Sequence, residues 1–249
     1  MMISIITAAY NSESTIKDTI ESVLRQSCLD YEYIIVDGGS KDGTVDIVEQ
    51  YIPKFKGRMR YVSEPDQGIY DAMNKGFQMA SGDVLALINS DDFFCDDYAL
   101  EKVVKIFEDK PDVDGVYADL YYVSHNNTDN IIRKWVTGTQ KPFAKGWLPA
   151  HPTFYVKREC YKKYGYFNLE YKLAADFELM LRFVERYHIN LAYLPESLVK
   201  MRLGGATSKN IGNIIKQDKE CYRAFKENNV PVDCFYLLYR FWPKIRQFF

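Results

Sequence analysis

Apolar residues in the first half of the chain come in short runs separated by amphipathic stretches. ISIITAA, residues 3–9, has strand length, and after it Ile16, Ile20, Val23 and Leu24 recur at i, i+4, i+7 and i+8, one helical face that Asn11 or Ser12 can cap. YEYIIVD, residues 31–37, predicts a second strand, GGSKDGT a turn, and residues 45–52 a helix stopped by Pro53. RMRYV predicts a shorter third strand, IYDAMNKGFQMA a helix, GDVLALIN a central strand, and residues 100–107 a helix ending before Pro111. Strands alternating with helical segments predict an α/β fold, a mostly parallel central sheet flanked by helices in the Rossmann-like manner. Each strand then delivers polar residues at its carboxyl end, the edge where open α/β sheets bind ligands.

The second half is less regular. Strands are predicted at residues 116–123, 131–136 and 153–156, then a helix at AADFELMLRFVERY, strands at INLAYLP and LVKMR, and a C-terminal helical region. With no internal repeat or flexible linker, the expected organisation is one continuous domain, residues 1–205, with a helical extension over 206–249 packed on it or lying at a membrane surface.

Composition narrows the setting. Of 249 residues, 47% are hydrophobic and 27% charged, enough for a sizeable core in a soluble protein, and a net charge of −2 gives no global reason to expect a nucleic acid partner. Five scattered cysteines without a C-x-x-C pair predict free thiols. The start, MMISIITAAYNS, lacks the basic region of a signal peptide, and no apolar run reaches the roughly 18 residues of a membrane span, so a cytoplasmic location is expected. The N-x-T sequon at Asn126 then carries no meaning.

The strand ends hold the candidate chemistry. LALINSDDFF finishes an apolar run with two adjacent carboxylates, Asp91 and Asp92, whose repulsion calls for compensation by water, a donor or a cation. Such a pair fits the incomplete oxygen shell that Mg²⁺ or Mn²⁺ completes with substrate phosphates; it equally fits a helix N-terminal cap. In TAAYN, the small Ala8 and Ala9 allow close approach of a flat ring and Tyr10 can stack on a base, or the segment is a tight turn capped by Asn11. Asp37, held before Gly38 and Gly39, can accept hydrogen bonds from a base or ribose, or simply shape its turn.

Taken together, SIITAAYNSESTI, YEYIIVDGGSKDGT, DQGIYDAMNKGFQMASGDVLALINSDD and AADFELMLRF resemble the family 2 glycosyltransferases of the GT-A fold, especially the branch building bacterial envelope polysaccharides. The match runs over residues 3–205 with four motifs in order. The resemblance implies a nucleotide-sugar pocket at Ala8, Ala9, Tyr10 and Asp37, with Asp71 approaching base and ribose and Lys75 one turn on. It implies that Asn89, Ser90 and Asp91 meet the donor, that Asp91 and Asp92 hold the divalent metal, and that Asp176 is the catalytic base. Asp176 at a helix start also fits a simple cap. The chain departs from the commoner pattern at Gly38, near Met73, at Asn89 and at Ala175, where aspartate, arginine, aspartate and glutamate are usual, so donor identity does not transfer. The Q-x-x-R-W of the processive branch is absent.

Displacing a nucleoside diphosphate by an acceptor hydroxyl needs a cation on the leaving phosphates and a carboxylate to take the proton, and direct displacement inverts the anomeric carbon. Three weaker features remain. His151, in LPAHPTFYV, fits an acceptor or phosphate ligand or a structural histidine. Lys200 and Arg202, beside Gly204 and Gly205, fit a loop closing over the diphosphate or a solvated basic loop. The tail CFYLLYRFWPKIRQFF, residues 234–249, fits a headgroup-layer anchor, a packed helix or a homodimer contact. The expected activity is transfer from a nucleotide sugar, UDP-linked, to a saccharide, including a lipid-linked one, at the inner face of the membrane. A sugar-nucleotide nucleotidyltransferase and a catalytically silent nucleotide-sugar-binding subunit are the alternatives; no glycine-rich triphosphate loop follows the first strand.

Overall fold

The computed structural model describes residues 1–204 and 211–240. Four strands form the parallel half of a mixed sheet: β1 (Ile3–Ala9), β2 (Tyr31–Asp37), β3 (Met59–Ser63) and β4 (Val84–Leu87), side by side in the order β3-β2-β1-β4. Helices α1 (Ile16–Leu24), α2 (Thr44–Tyr51) and α3 (Ile69–Met79) make the crossovers. Side-chain alternation explains why β1 and β2 read as unbroken apolar runs. Ile3, Ile5, Tyr31, Tyr33 and Ile35 enter one core, while Ile6, Ala8, Ile34 and Val36 enter the other. Both faces are covered, as parallel sheets require.

Beyond β4 the sheet turns antiparallel. A two-residue strand, β5 (Phe93–Phe94), precedes α4 (Ala99–Asp109), β6 (Gly115–Val123), β7 (Ile131–Trp135) and β8 (Phe154–Lys157). α5 (Arg158–Tyr164) and α6 (Ala175–Leu181) follow, then β9 (Leu191–Arg202) and α7 (Ile211–Glu227). The order continues β4-β8-β6-β9-β5, with β7 pairing β6 and β9 running parallel to β6. The two strands expected over 189–202 are one, β9, bent by register shifts near Asp119 that absorb Pro195. The helix expected over 174–187 is α6 followed by a π-helical turn at Arg182–Arg186. α5 and β5 were not visible in the periodicity, being seven and two residues long.

The first helix also begins later than its sequence suggests: Thr15 is its N-cap, and Ser12 contributes its carbonyl rather than a side-chain cap. α7 is integral to the core, burying Cys221, Ala224 and Phe225, and Phe225 meets Phe177 of α6 and Tyr236 at ring distances of 5.5 and 4.9 Å. Of the aromatic tail, Tyr236 is buried, whereas Phe235 and Leu238 are exposed; residues 241–249 of that segment, and Gly205 of the expected hinge, lie outside the described residues. Among the described residues no helix is long and apolar enough to cross a membrane, and all five cysteines are free.

Candidate functional site

The carboxyl ends of β1, β2 and β4 are tied to one another by side chains. Ser12, just past β1, contacts the Ser90 hydroxyl at 2.9 Å, and its N–H donates to Thr44 Oγ1 at 2.7 Å. Asn11, at a φ of 48°, donates its N–H to Ser40 Oγ and accepts from Lys41 N. Ala8 and Ala9 direct their side chains into the two cores, so at this edge only their backbone is available, whereas Tyr10 is 62% exposed.

Asp37 is fully buried. Its carboxylate accepts from Gly39 N, Ser40 N, the Ser40 hydroxyl and, at 2.6 Å, Ser63 Oγ. These four donors from the chain itself hold the turn after β2 around Asp37.

The adjacent aspartates divide their duties. Asp92 is buried, one oxygen accepting from Asn89 Nδ2 at 2.8 Å and the other from Arg202 N at 3.2 Å. These two bonds brace β9 against the turn after β4, and burial, reinforced by the charge of Asp91, raises the Asp92 pKa well above its ordinary value. Asp91 is half-buried and closer to solvent; burial raises its pKa too, opposed by its own backbone N–H and by Arg202 and His125. The Arg202 guanidinium does not reach either carboxylate of the pair: it donates to the carbonyl of Asp91 and to Asp18. Arg202 therefore belongs to the end of β9 rather than to a free loop, and Lys200 lies 5.8 Å over the Phe93 ring.

The donor set around Asp91 fits a cation that takes most of its ligands from elsewhere. No group of three or more His, Cys, Asp or Glu able to hold a metal exists among the described residues, while Asp91 offers one half-buried carboxylate beside the buried Asp92. One or two carboxylates completed by phosphates is the usual Mg²⁺ arrangement.

Across the same edge, α3 starts at Gly68, whose φ of 118° only glycine adopts freely. Asp71 accepts from Gln67 N at 3.0 Å, and Lys75 is paired with Glu64 at 2.8 Å and with Asp71 at 3.7 Å. Tyr70, which the sequence reading passed over although it adjoins Asp71, donates its hydroxyl to Asp176 Oδ1 at 3.1 Å. Burial lifts the Tyr70 pKa far above its ordinary value, with the Asp176 charge adding to it, so the phenol remains a donor. Asn74 clasps the backbone of Phe167 through both N–H and C=O at 2.9 Å, tying α3 to the segment that leads into α6.

Asp176 is the second residue of α6 and makes no capping bond. The amides of Lys172, Leu173 and Ala174, which lead into α6, are taken by Glu220 of α7 at 2.9–3.0 Å, while the Asp176 carboxylate accepts from Tyr70. His151 feels the charge of this carboxylate, which opposes the downward shift that burial imposes on the imidazole. Its Nε2 is buried with no partner and its ring sits edge-on to Phe167 at 5.7 Å. β8 runs antiparallel to β4, so His151, three residues ahead of β8, enters at the edge where β4 leaves. Asp91, His151, Tyr70 and Asp176 thus share one edge of the sheet. Glu220, remote in sequence from the amides it holds, carried no motif signal, and Asn74, although inside the third motif, was passed over because its partner lies 93 residues away.

The sequence pattern described as Glycosyl transferase family 2 matches residues 4–172. The PGL/p-HBAD biosynthesis glycosyltransferase of Mycobacterium tuberculosis is 27% identical over 98% of this chain and 92% of its own length. Among solved structures, S. aureus TarS 1–349 in complex with UDP-GlcNAc is similar at a TM-score of 0.70, with 18% identity over 97% of this chain and 73% of that one. The mannosyltransferase PcManGT from Pyrobaculum calidifontis, in complex with GDP-Man and Mn²⁺, is similar at 0.63 with 18% identity, covering 98% of this chain and 64% of that one. Against a longer TarS structure the matched part is 37% of that chain.

Proposed function

Because the chain belongs to glycosyltransferase family 2 and is a transferase of the GT-A fold, we propose that it moves a sugar from a UDP-linked donor to a saccharide hydroxyl with inversion at the anomeric carbon. The observation that carries the reading is the Asp176 carboxylate, which makes no capping bond and is held by Tyr70 on the sheet edge that also carries Asp91. UDP-GlcNAc in the similar TarS structure supports the uridine choice.

In this reading the nucleotide lies against Tyr10 and the end of β2, with Asp71 and Lys75 along α3 and Asn89 and Ser90 beside the ribose and diphosphate. Asp91 is the chain's ligand for a divalent ion, Mn²⁺ or Mg²⁺, and Asp92 fixes the turn that presents it. The chemistry such an ion supplies is neutralisation of charge growing on the leaving phosphate. Asp176 takes the proton of the acceptor hydroxyl as the oxygen attacks, and Tyr70 keeps one carboxylate oxygen turned away so that the other faces the acceptor. His151 offers Nε2 to the acceptor or a phosphate oxygen. The exposed Phe235 and Leu238 support a lipid-linked acceptor reached at a membrane surface.

Replacing Asp176 with Asn tests the reading. UDP affinity is expected to stay within twofold of wild type while transfer falls by about two orders of magnitude, the general-base scale. Turnover equal to wild type would reject the assignment.

A further inference from the structure

At the end of β2 a carboxylate occupies space that another residue's side chain would fill. A Cβ built on Gly38 would lie 2.4 Å from Asp66 Oδ2 and 3.4 Å from Cδ2 of the Tyr10 ring. Asp66 comes from the loop between β3 and α3, and its other oxygen, Oδ1, accepts the N–H of Gly68 at 2.8 Å, which fixes the plane of the group. Oδ2 has no hydrogen-bond donor and Asp66 has no ion-pair partner among the described residues; Lys75, the nearby cation, is paired with Glu64 and Asp71. Gly38 itself is pinned by its N–H to Ala9 O at 2.9 Å. The Tyr10 ring, the side-chain-free backbone at Gly38 and an Asp66 oxygen with no partner among the described residues thus stand together at the end of β2.

We infer that Asp66 reads the nucleotide base, its Oδ2 accepting the ring N–H of uracil in place of a side chain at position 38. This rests on the transferase reading above and deepens it. A carboxylate can only accept, so it selects bases that present a ring N–H at this edge, N3–H of uracil or N1–H of guanine, and opposes cytosine, whose N3 is a lone pair. A site that leaves a buried acceptor unpaired against the wrong ligand discriminates strongly, and an acceptor of this kind is worth about 10- to 100-fold in affinity.

Asp66→Asn isolates the effect, since the amide oxygen can still accept from Gly68 while the free atom changes from acceptor to donor. Calorimetric binding of UDP, GDP and CDP to the full chain, at one Mn²⁺ concentration, is expected to show wild type preferring UDP to CDP by at least tenfold. In the variant, UDP should weaken about tenfold, CDP should hold or tighten, and the UDP:CDP ratio should collapse, with an unchanged melting temperature. An unchanged ratio, or equal weakening of both nucleotides, overturns the inference while leaving the transferase reading standing. GDP preferred over UDP by the wild type overturns the uracil assignment. Failure of wild type to bind any of the three overturns both readings.

Discussion

Gly76→Ala puts the packing of α3 to a quantitative test. A Cβ at position 76 would lie 2.3 Å from Ile6 Cγ2, with Cγ1 and Cβ of the same residue at 3.3 and 3.4 Å. Apolar carbons settle roughly 3.5–4.0 Å apart, so about 1.2 Å must be gained. Ile6 cannot retreat, because β1 is paired with β2 on one side and β4 on the other and Ile6 is fully buried. The helix has to move. Overpacking costs of about 1–3 kcal/mol apply, towards the upper end here, and alanine's better helix propensity returns about 1 kcal/mol, leaving a net loss of about 2 kcal/mol. For a chain of this size that lowers Tm by about 4–8 °C, measurable by calorimetry or circular dichroism. The displaced helix also carries Tyr70 away from Asp176, so turnover should drop more than UDP affinity. Combining Gly76→Ala with Ile6→Ala removes the clashing methyl, and the pair should lose less than the sum of the single changes. A Gly76→Ala variant melting at or above wild type would refute the close approach and leave propensity as the governing effect.

Two further outcomes follow from single contacts. Tyr70→Phe removes one oxygen while keeping the ring against Phe167 at 5.3 Å; losing a bond to a charged acceptor at 3.1 Å should cost about 1.5 kcal/mol of positioning, a roughly tenfold fall in kcat with donor KM unchanged in steady-state assays. The partly screened Glu32, although burial pushes upward, is held down to about 2 by Ser4, Ser81 and Arg60. Its folded pKa lies below its unfolded one, so the stabilisation is present above about pH 4.5 and fades as pH falls towards 2. Glu32→Gln should therefore lower stability by about 2 kcal/mol near neutral pH and flatten its decline on acidification, read by denaturant titration across pH 3–7.

The parallel half was legible because its signal is local: a strand buried on both faces is a continuous apolar run, and α1, α2 and α3 repeat their apolar positions within a few turns. The position of Asp176 was legible through a motif. What escaped were elements too short to show a period, such as β5 and α5, and contacts joining distant segments. The Glu220 carboxylate serves amides 46–48 positions away, and nothing in its neighbours marks it. Arg202 looked like a loop cation because glycines follow it, yet its two terminal guanidinium nitrogens are engaged by Asp91 O and Asp18.

The reach of Glu220 across to Lys172, Leu173 and Ala174 bears on where this enzyme can be shortened. The recognisable family pattern stops at residue 172, four positions before the proposed base. A fragment ending there discards that base, and one ending before α7 retains it on a stub whose amides have lost their acceptor. The minimal working unit is therefore expected to extend through α7, beyond the border that the family pattern draws.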